Sequence, residues 1–318
     1  MVRHDSFRGV HPILPTPFSA DGAVDAESMR RLVDYQVNAG VHGVAVLGFM
    51  GEAHKLSNAE RRSVLRASVE GAAGRVPVWV GIRALGTAGC IEQVQEAERD
   101  GASAVFVAPV PPQSEASLER HFREVAESTS LPLAIHDYPE SFGMTIPVGV
   151  VARLAASGHV PYIKAEDPPV IPKQRALLAA TEGRIGIFGG LGGQWVFEEL
   201  DAGAVGVMTG FAFPEILLEI YDLMQAGDRE AAGRVFDRML PLARFEFQPG
   251  IGVALRKHVY HRRGIIATEV VRHPSTPVDA SILADFGAVA ARVGLSLDQA
   301  GWVATSVSVT PDTGAAGG

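Results

Sequence analysis

Residues 160–167 read Val-Pro-Tyr-Ile-Lys-Ala-Glu-Asp, an apolar stretch with a lysine near its end. Val160, Tyr162 and Ile163 suit the interior of a sheet, so the stretch predicts a short buried strand that ends at Lys164. Burial disfavours the charged form of an amine, so this lysine can be neutral near neutral pH. A neutral amine attacks carbonyl groups and forms a Schiff base. The alternative is a structural lysine that caps the strand or pairs with one of the acidic residues after it.

On both sides of this stretch, short apolar runs alternate with segments of helical periodicity. Eight strand-then-helix units of about 20–30 residues each predict a (β/α)8 TIM barrel, an α/β fold. A doubly wound open sheet ranks second, because such a sheet usually has fewer strands and no Gly-x-Gly-x-x-Gly motif follows the first strand. The predicted strands are 10–14, 41–47, 77–81, 104–108, 132–135, 160–164, 184–188 and 204–208.

The strand pattern stops after about Gly227, and three helical segments follow it. We therefore assign residues 1–226 to the barrel and residues 227–303 to a C-terminal helical extension. No obvious linker separates the two regions, so we expect the extension to pack on the barrel. Residues 304–318 are small, polar and rich in Gly, Ala and Thr, which is typical of a disordered tail.

The composition fits a compact enzyme, since 47% of the 318 residues are hydrophobic and 20% are charged. A formal net charge of -8 without a basic stripe argues against nucleic acid or an acidic membrane surface as a partner. The single cysteine, Cys90, excludes an internal disulfide and fits the reducing cytoplasm. No stretch resembles a signal peptide or reaches the ~20 apolar residues of a membrane span. We expect a cytoplasmic protein.

In a TIM barrel the catalytic side chains lie at the carboxyl ends of the strands. These ends would bring Lys164 together with His136, Tyr138 and the glycine-containing turns at 48–52 and 189–193. Histidine has an ordinary pKa of about 6.5, so His136 is the candidate proton shuttle. Tyr138 lies two residues further and shares the same face while the strand lasts, so we assign it a catalytic role as well. The alternatives are a structural histidine and a tyrosine that forms only the wall.

Five motifs occur in order along nearly the whole chain: Thr16-Pro17-Phe18, Gly48-x-x-Gly51-Glu52 with Leu56-Ser57 and Glu60-Arg61, Arg75-Val76-Pro77, Ile163-Lys164, and Gly203-Ala204-x-Gly206. Together they resemble the dihydrodipicolinate synthase / N-acetylneuraminate lyase family of class I aldolases. The resemblance implies a lyase in which Lys164 forms a Schiff base with a 2-oxo acid such as pyruvate. It also implies a homotetramer that needs no metal or organic cofactor.

Three departures from the family pattern stand out. The pair that binds the substrate carboxylate is usually Thr-Thr in the family, whereas here it is Phe49-Met50. Both hydroxyl groups are lost, so we expect the backbone amides of Met50 and Gly51 to hold the carboxylate. His136 stands where the family's proton-relay tyrosine would be, and Ser141 stands where the synthases carry an arginine. We therefore expect that the chain is not a dihydrodipicolinate synthase itself.

The remaining substrate contacts are expected on the last two strands. Gly190 matches a family glycine near the Schiff base, although the glycine-rich turn that contains it can also suggest a phosphate site. Val207 on the eighth strand is also expected to contact the substrate. Phe49, Phe211 and Phe213 predict an apolar rim, which favours an aldehyde with an aliphatic or aromatic body. The histidines show no metal-ligand spacing, so no metal is expected.

Three functions agree with these residues. The first is a Schiff-base aldolase or lyase that acts on a 2-oxo acid and an aldehyde. The second is a Schiff-base dehydratase or hydratase in which His136 or Glu166 acts as the base. The third is a non-catalytic protein that binds a 2-oxo acid on a barrel scaffold, since a fold does not by itself imply an activity.

Overall fold

The computed structural model describes residues 7–110 and 114–302. Eight parallel strands form one sheet in the order β1-β8-β7-β6-β5-β4-β3-β2. The N–H of Leu14 donates to the carbonyl of Ala45 at 2.8 Å, which joins the β1 and β2 ends and closes the sheet into a barrel. The strands are β1 (Gly9–Pro12), β2 (Val44–Val46), β3 (Val78–Ile82), β4 (Ala104–Val107), β5 (Leu133–Asp137), β6 (Tyr162–Ala165), β7 (Gly186–Gly189) and β8 (Gly206–Thr209).

Helices alternate with these strands, so the predicted TIM barrel is confirmed. The barrel helices are α1 (Ala26–Asn38), α2 (Asn58–Ala72), α3 (Thr87–Arg99), α4 (Glu115–Glu127), α5 (Pro139–Phe142), α6 (Val148–Ser157), α7 (Val170–Thr181), α8 (Val196–Asp201) and α9 (Pro214–Gln225). The C-terminal helices are α10 (Arg229–Glu246), α11 (Gly252–Arg262) and α12 (Ala280–Arg292). The division at residues 226 and 303 stays a prediction, and the predicted tail over 304–318 lies outside the described residues.

The two faces of the strands bury different side chains, because successive residues on a strand point to opposite sides. Large aromatic residues such as Trp79, Phe106 and Phe188 fill the inside of the barrel. Residues at the alternate positions pack outward against the helices. Tyr162 points inward on β6, so Lys164, two residues later, also points inward at the carboxyl end of the barrel.

The start of α2 shows how local sequence fixes an element. The Ser57 hydroxyl accepts from the N–H of Glu60 at 3.3 Å, and the Glu60 carboxylate accepts from the N–H of Ser57 at 2.8 Å. This reciprocal capping box satisfies two backbone donors that a helix start leaves unpaired. The one-turn helix α5 was not predicted. It begins at Pro139, directly after Tyr138, and ends at Phe142, and its C-terminal cap is Gly143, whose φ of 68° suits glycine.

A buried ion pair joins the C-terminal helices to the turn that follows β2 at the carboxyl end of the barrel. Lys257 on α11 lies 2.6 Å from the carboxylate of Glu52, and both side chains are almost completely buried. Glu52 directly follows the turn that begins at Gly48, so the contact with α11 stabilises the position of that turn. This contact joins α11 to the barrel, and the assignment of residues 227–303 as a packed extension stays a prediction. None of the helices in the described part of the chain is long and apolar enough to cross a membrane.

Candidate active site

Lys164 lies at the inner mouth of the barrel, with only 2% of its surface exposed. It pairs with His136 on β5 and with Phe188 on β7 in the register of the sheet. Its ammonium nitrogen contacts the carboxylate of Glu166. The ion pair expected for a structural lysine is thus present, yet the amine also lies inside the barrel as Schiff-base chemistry requires. Burial is the main cause that lowers the pKa of Lys164 to about 7.

Glu166 joins three groups at this mouth. Its Oε2 lies 3.0 Å from Nε2 of His136 and also contacts Lys164, and its Oε1 accepts from the N–H of Leu191 at 2.7 Å. Nε2 of His136 lies 3.4 Å from Nζ of Lys164. A proton can therefore pass among an amine, an imidazole and a carboxylate that are in mutual contact.

The surroundings of His136 favour its neutral form. Burial holds its pKa well below the ordinary value, and the positive charges of Lys164 and Arg83 lower it further. The rings of Phe106 and Phe142 pack edge-on against the imidazole, with centroid distances of 5.4 and 4.9 Å. A neutral imidazole can both accept and donate a proton, and the shuttle role of His136 stays a prediction.

The loop after β7 passes between two buried carboxylates. The N–H of Gly190 donates to Glu199 at 3.2 Å, and the next N–H, that of Leu191, donates to Glu166 at 2.7 Å. A side chain at Gly190 would collide with the Glu166 carboxylate, which explains the glycine. Glu199 lies on α8 and is a buried site residue that no local sequence pattern predicts. Burial raises its pKa to about 8.

Tyr138 lies at the rim. Its ring is nearly parallel to that of His136, with 6.2 Å between the centroids, and its hydroxyl donates to Glu140 at 3.3 Å. The hydroxyl therefore points to the rim and has no hydrogen bond with Lys164 in the described part of the chain. Burial and the charge of Glu140 raise the pKa of Tyr138 to about 12. A catalytic role for this tyrosine stays a prediction.

The turn after β2 presents the residues that replace the Thr-Thr pair. Phe49 is 39% exposed and stacks on His54 at a centroid distance of 4.9 Å. Met50 packs against the aromatic cluster inside the barrel. The N–H of Gly51 donates to the carbonyl of Gly48 at 3.1 Å, so this amide is engaged within the turn. The predicted carboxylate site at Met50 and Gly51 stays a prediction.

The other predicted contacts are placed away from the mouth. Val207 belongs to the core between the sheet and the helices, so its side chain points out of the barrel and away from Lys164. Phe211 and Phe213 are also buried in that core, with 1% and 0% exposed. The prediction that these two rings form an apolar rim is therefore wrong, because the segment after β8 packs both rings into the layer between the sheet and the helices.

Two cavities meet at the mouth of the barrel. The first has a volume of about 470 Å³ and opens beside His136. The second has a volume of about 780 Å³ and lies between the rim and α11, where Tyr138, Ser141 and Arg256 line it. Both volumes fall in the range of small-molecule sites. Phe49, His54 and Arg83 line both cavities and form the boundary between them.

A second charge cluster lies at the carboxyl ends of β5 and β6. The ammonium of Lys173 on α7 is 2.6 Å from the carboxylates of both Asp137 and Asp167. These two aspartates directly follow His136 and Glu166, so Lys173 links the ends of the two strands that carry those residues. Burial raises the pKa of Asp137 to about 6. Across residues 7–110 and 114–302, no group of three or more His, Cys, Asp or Glu residues is arranged to hold a metal ion.

Comparison with known proteins places this site in a family context. The model of the dihydrodipicolinate synthetase family matches residues 6–292. The chain is 30% identical over 296 residues to an L-2-keto-3-deoxyarabonate dehydratase from Azospirillum brasilense. That alignment covers 90% of this chain and 94% of the dehydratase. It is 34% identical over 244 residues to a 4-hydroxy-tetrahydrodipicolinate synthase from Stenotrophomonas maltophilia. That alignment covers 76% of this chain and 82% of the synthase.

Solved structures of the same family superpose on this chain. A dihydrodipicolinate synthase from Rhodopseudomonas palustris superposes with a TM-score of 0.85 at 31% identity, over 92% of this chain and 99% of that one. A prophage protein of the dihydrodipicolinic acid synthase family from E. coli K12, solved in complex with pyruvate, superposes with a TM-score of 0.85 at 26% identity. That match covers 92% of this chain and 100% of the E. coli chain.

Proposed function

This chain belongs to the dihydrodipicolinate synthetase family, and from that premise we propose that Lys164 condenses with a 2-oxo acid such as pyruvate and that the enzyme makes or breaks a carbon–carbon bond to an aldehyde. The chain is an enzyme, a lyase of the class I aldolase type. Enzymes of this family use a lysine Schiff base and no metal cofactor. The observation that carries the proposal is the buried amine of Lys164 in contact with Glu166 and His136.

The first step forms the Schiff base. The neutral amine of Lys164 attacks C2 of the 2-oxo acid, the carbonyl oxygen leaves as water, and a C=N bond replaces the C=O bond. A pKa of about 7 supplies a large fraction of neutral amine near neutral pH. Glu166 and His136 are placed to move the protons that this condensation requires.

The second step breaks the carbon chain. A base takes the proton of the C4 hydroxyl, the C3–C4 bond breaks, and its electron pair passes to the imine nitrogen as an enamine while the aldehyde leaves. A proton added to C3 and hydrolysis by one water then release the shortened 2-oxo acid and restore the amine. The neutral imidazole of His136 is our candidate for the base.

A dehydratase is the second candidate, and the contact between Glu166 and Lys164 favours it. A carboxylate beside the imine is well placed to take a proton from C3. The pair of Glu166 and His136 then returns the proton to the C4 hydroxyl, which leaves as water. The Azospirillum brasilense relative is named as a dehydratase of a 3-deoxy-2-oxo acid.

We do not assign dihydrodipicolinate synthase activity. Phe49 and Met50 replace the hydroxyl-bearing pair, His136 replaces the relay tyrosine, and Ser141 replaces the arginine that holds the aldehyde's carboxylate in the synthases. Each change removes a group that the synthase reaction uses. The His136 change also alters the chemistry, since an imidazole and a phenol differ in ordinary pKa by about three to four units.

Product analysis tests the two candidate reactions. A 4-hydroxy-2-oxo acid is incubated with the enzyme and followed by proton NMR. Lyase activity gives pyruvate and an aldehyde, whereas dehydratase activity gives one product with the carbon chain intact and one water lost. A lysine adduct that forms without turnover over a broad panel of such acids refutes both reactions and supports a non-catalytic 2-oxo-acid binder.

We also propose a homo-oligomer located in the cytoplasm. Leu85 is fully exposed and Trp195 is 46% exposed, and large exposed apolar side chains often mark contact surfaces between proteins. The only cysteine, Cys90, is buried and unpaired, which suits a reducing compartment. Light scattering that gives the mass of a single chain at micromolar concentration would refute the oligomer.

A further inference from the structure

The smaller cavity beside His136 has an unusual charge. Its described lining residues include two histidines and two arginines but no aspartate or glutamate. Burial lowers the pKa of both His54 and His136, so the positive charge comes from Arg61 and Arg83. This positive site lies in a protein with a formal net charge of -8, so the local charge is opposite to that of the whole molecule.

Within the described part of the chain neither arginine forms a close ion pair with a carboxylate, although the charge of Glu96 acts on Arg61. Arg61 donates to the carbonyl of Gly81 at 2.9 Å and to the Gln93 side chain at 3.4 Å, and both acceptors are neutral. The guanidinium of Arg83 lies over the ring of Phe142 at 5.2 Å from its centroid. Arg83 is exposed, so its guanidinium can reach a ligand at low cost, whereas Arg61 is buried and already bonded.

The remaining walls of this cavity are apolar and largely aromatic. Phe49, Phe106 and Phe142 face it together with Leu47, Ile82 and Leu85. His136 lines this cavity and Lys164 does not, so the volume of about 470 Å³ lies beside the amine and suits a small molecule next to the Schiff base. Aromatic walls offer stacking to a flat apolar body but no hydrogen bonds to a chain of hydroxyl groups.

We propose that this cavity holds the aldehyde half of the substrate and selects an aldehyde that has an aromatic or branched aliphatic body and a carboxylate at its far end, with Arg83 pairing that carboxylate. This inference rests on the proposed function, because the aldehyde carbon must face Lys164 and His136. A guanidinium matches a carboxylate through two parallel N–H···O bonds.

A matched pair of unreactive ligands tests the inference on the native enzyme. Isothermal titration calorimetry compares 4-(hydroxymethyl)benzoate with 4-(hydroxymethyl)benzamide, which has the same shape but no charge. We expect the benzoate to bind about tenfold more tightly, as a charge-assisted hydrogen bond predicts. Addition of salt reduces this preference, because the guanidinium is exposed and is screened by ions.

Variants identify the arginine responsible. Arg83→Met removes the charge and reduces the benzoate-to-benzamide affinity ratio to about one, whereas Arg83→Lys retains part of the ratio. Arg234→Met on α10 makes the same chemical change far from the cavity and serves as the control. Equal binding of the two ligands to the wild type, no binding of either, or tighter binding of a polyhydroxylated acid such as glycerate overturns the inference.

The outcome is separable from the proposed function. Reduction of the pyruvate Schiff base with borohydride reports on Lys164 alone. An adduct on Lys164 together with no preference for the benzoate overturns only the cavity assignment. No adduct with any 2-oxo acid overturns the proposed function, whatever the cavity binds.

Discussion

His136 and Lys164 occupy paired positions on the neighbouring strands β5 and β6, and both of their side-chain nitrogens contact the same oxygen of Glu166. The parallel register places the imidazole and the amine side by side, and the residue two positions after Lys164 adds the carboxylate from the same face. Three titratable groups thus share one buried site. From these contacts we propose that Glu166 takes part in proton transfer as well as pairing with the lysine.

Replacement of Glu166 by glutamine tests that role. Glu166→Gln keeps the shape and can still contact Lys164 but cannot accept a proton. We expect turnover to fall about 10²- to 10⁴-fold, the usual contribution of general acid–base catalysis. The borohydride-trapped pyruvate adduct should still form. Glu182→Gln on the surface is the control, and unchanged turnover in Glu166→Gln contradicts the role.

The pKa of Lys164 predicts a pH dependence of adduct formation. Burial lowers this pKa from 10.5 to about 7, so the amine loses its proton as the pH rises through neutrality. The rate of adduct formation with pyruvate, measured by rapid mixing, should increase from about pH 5 to about pH 8 and then level off. A rate that keeps rising toward pH 10, the range of an ordinary lysine, refutes the lowered pKa.

Gly190 tests the close approach of the loop after β7. Gly190→Ala introduces a methyl group that must displace the Glu166 carboxylate, so we expect turnover to fall about 10²-fold from misplacement of a proton-transfer group. The circular dichroism spectrum should stay unchanged. Gly149→Ala on α6, where a methyl group meets only the Arg153 side chain at 3.4 Å, is the matched control. Full activity of Gly190→Ala rules out the close contact.

A substitution of Lys173 tests the charge cluster at the carboxyl ends of β5 and β6. Lys173→Met leaves the buried carboxylates of Asp137 and Asp167 without their cation, so we expect the free energy of unfolding to drop by about 3–5 kcal/mol at about pH 8. Denaturation midpoints in urea measure this change. The double variant Lys173→Met/Asp137→Asn should recover part of the lost free energy of unfolding, because the uncompensated charge is removed. An equal loss of unfolding free energy in the single and the double variant excludes a charge effect.

The same variant has a predicted pH dependence. Asp137 has a pKa raised by burial to about 6, so the folded state binds more protons than the unfolded state between the ordinary value of 3.8 and about 6. The cost of its buried charge is therefore felt above pH 6 and relieved toward lower pH. Loss of Lys173 raises this pKa further. The difference between wild type and Lys173→Met should accordingly shrink at about pH 5.

Local patterns predicted the elements well because they depend on near neighbours. The capping box of Ser57 and Glu60, and the period-two alternation that carries Lys164 inward, are properties of a few consecutive residues. The carboxyl-end rule for barrels then placed Lys164 and His136 together. These steps needed no knowledge of distant contacts.

The predictions that failed or were incomplete depend on long-range packing. Phe211 lies in the first residues after β8, where no local pattern tells whether a ring faces the mouth or the helical layer, and the structure buries it under the helices. The Glu52 carboxylate meets Lys257, which lies 205 positions away in the chain. The charge of the small cavity also arises only when Arg61 and Arg83, from α2 and the end of β3, come together.

The most direct test of the central claim is to reduce the enzyme with borohydride in the presence of pyruvate and to map the modified peptide by mass spectrometry. We predict one reduced pyruvate per chain, located on Lys164, and no adduct in Lys164→Ala. An adduct on another lysine, such as Lys257, or no adduct with pyruvate or any other 2-oxo acid, contradicts the account.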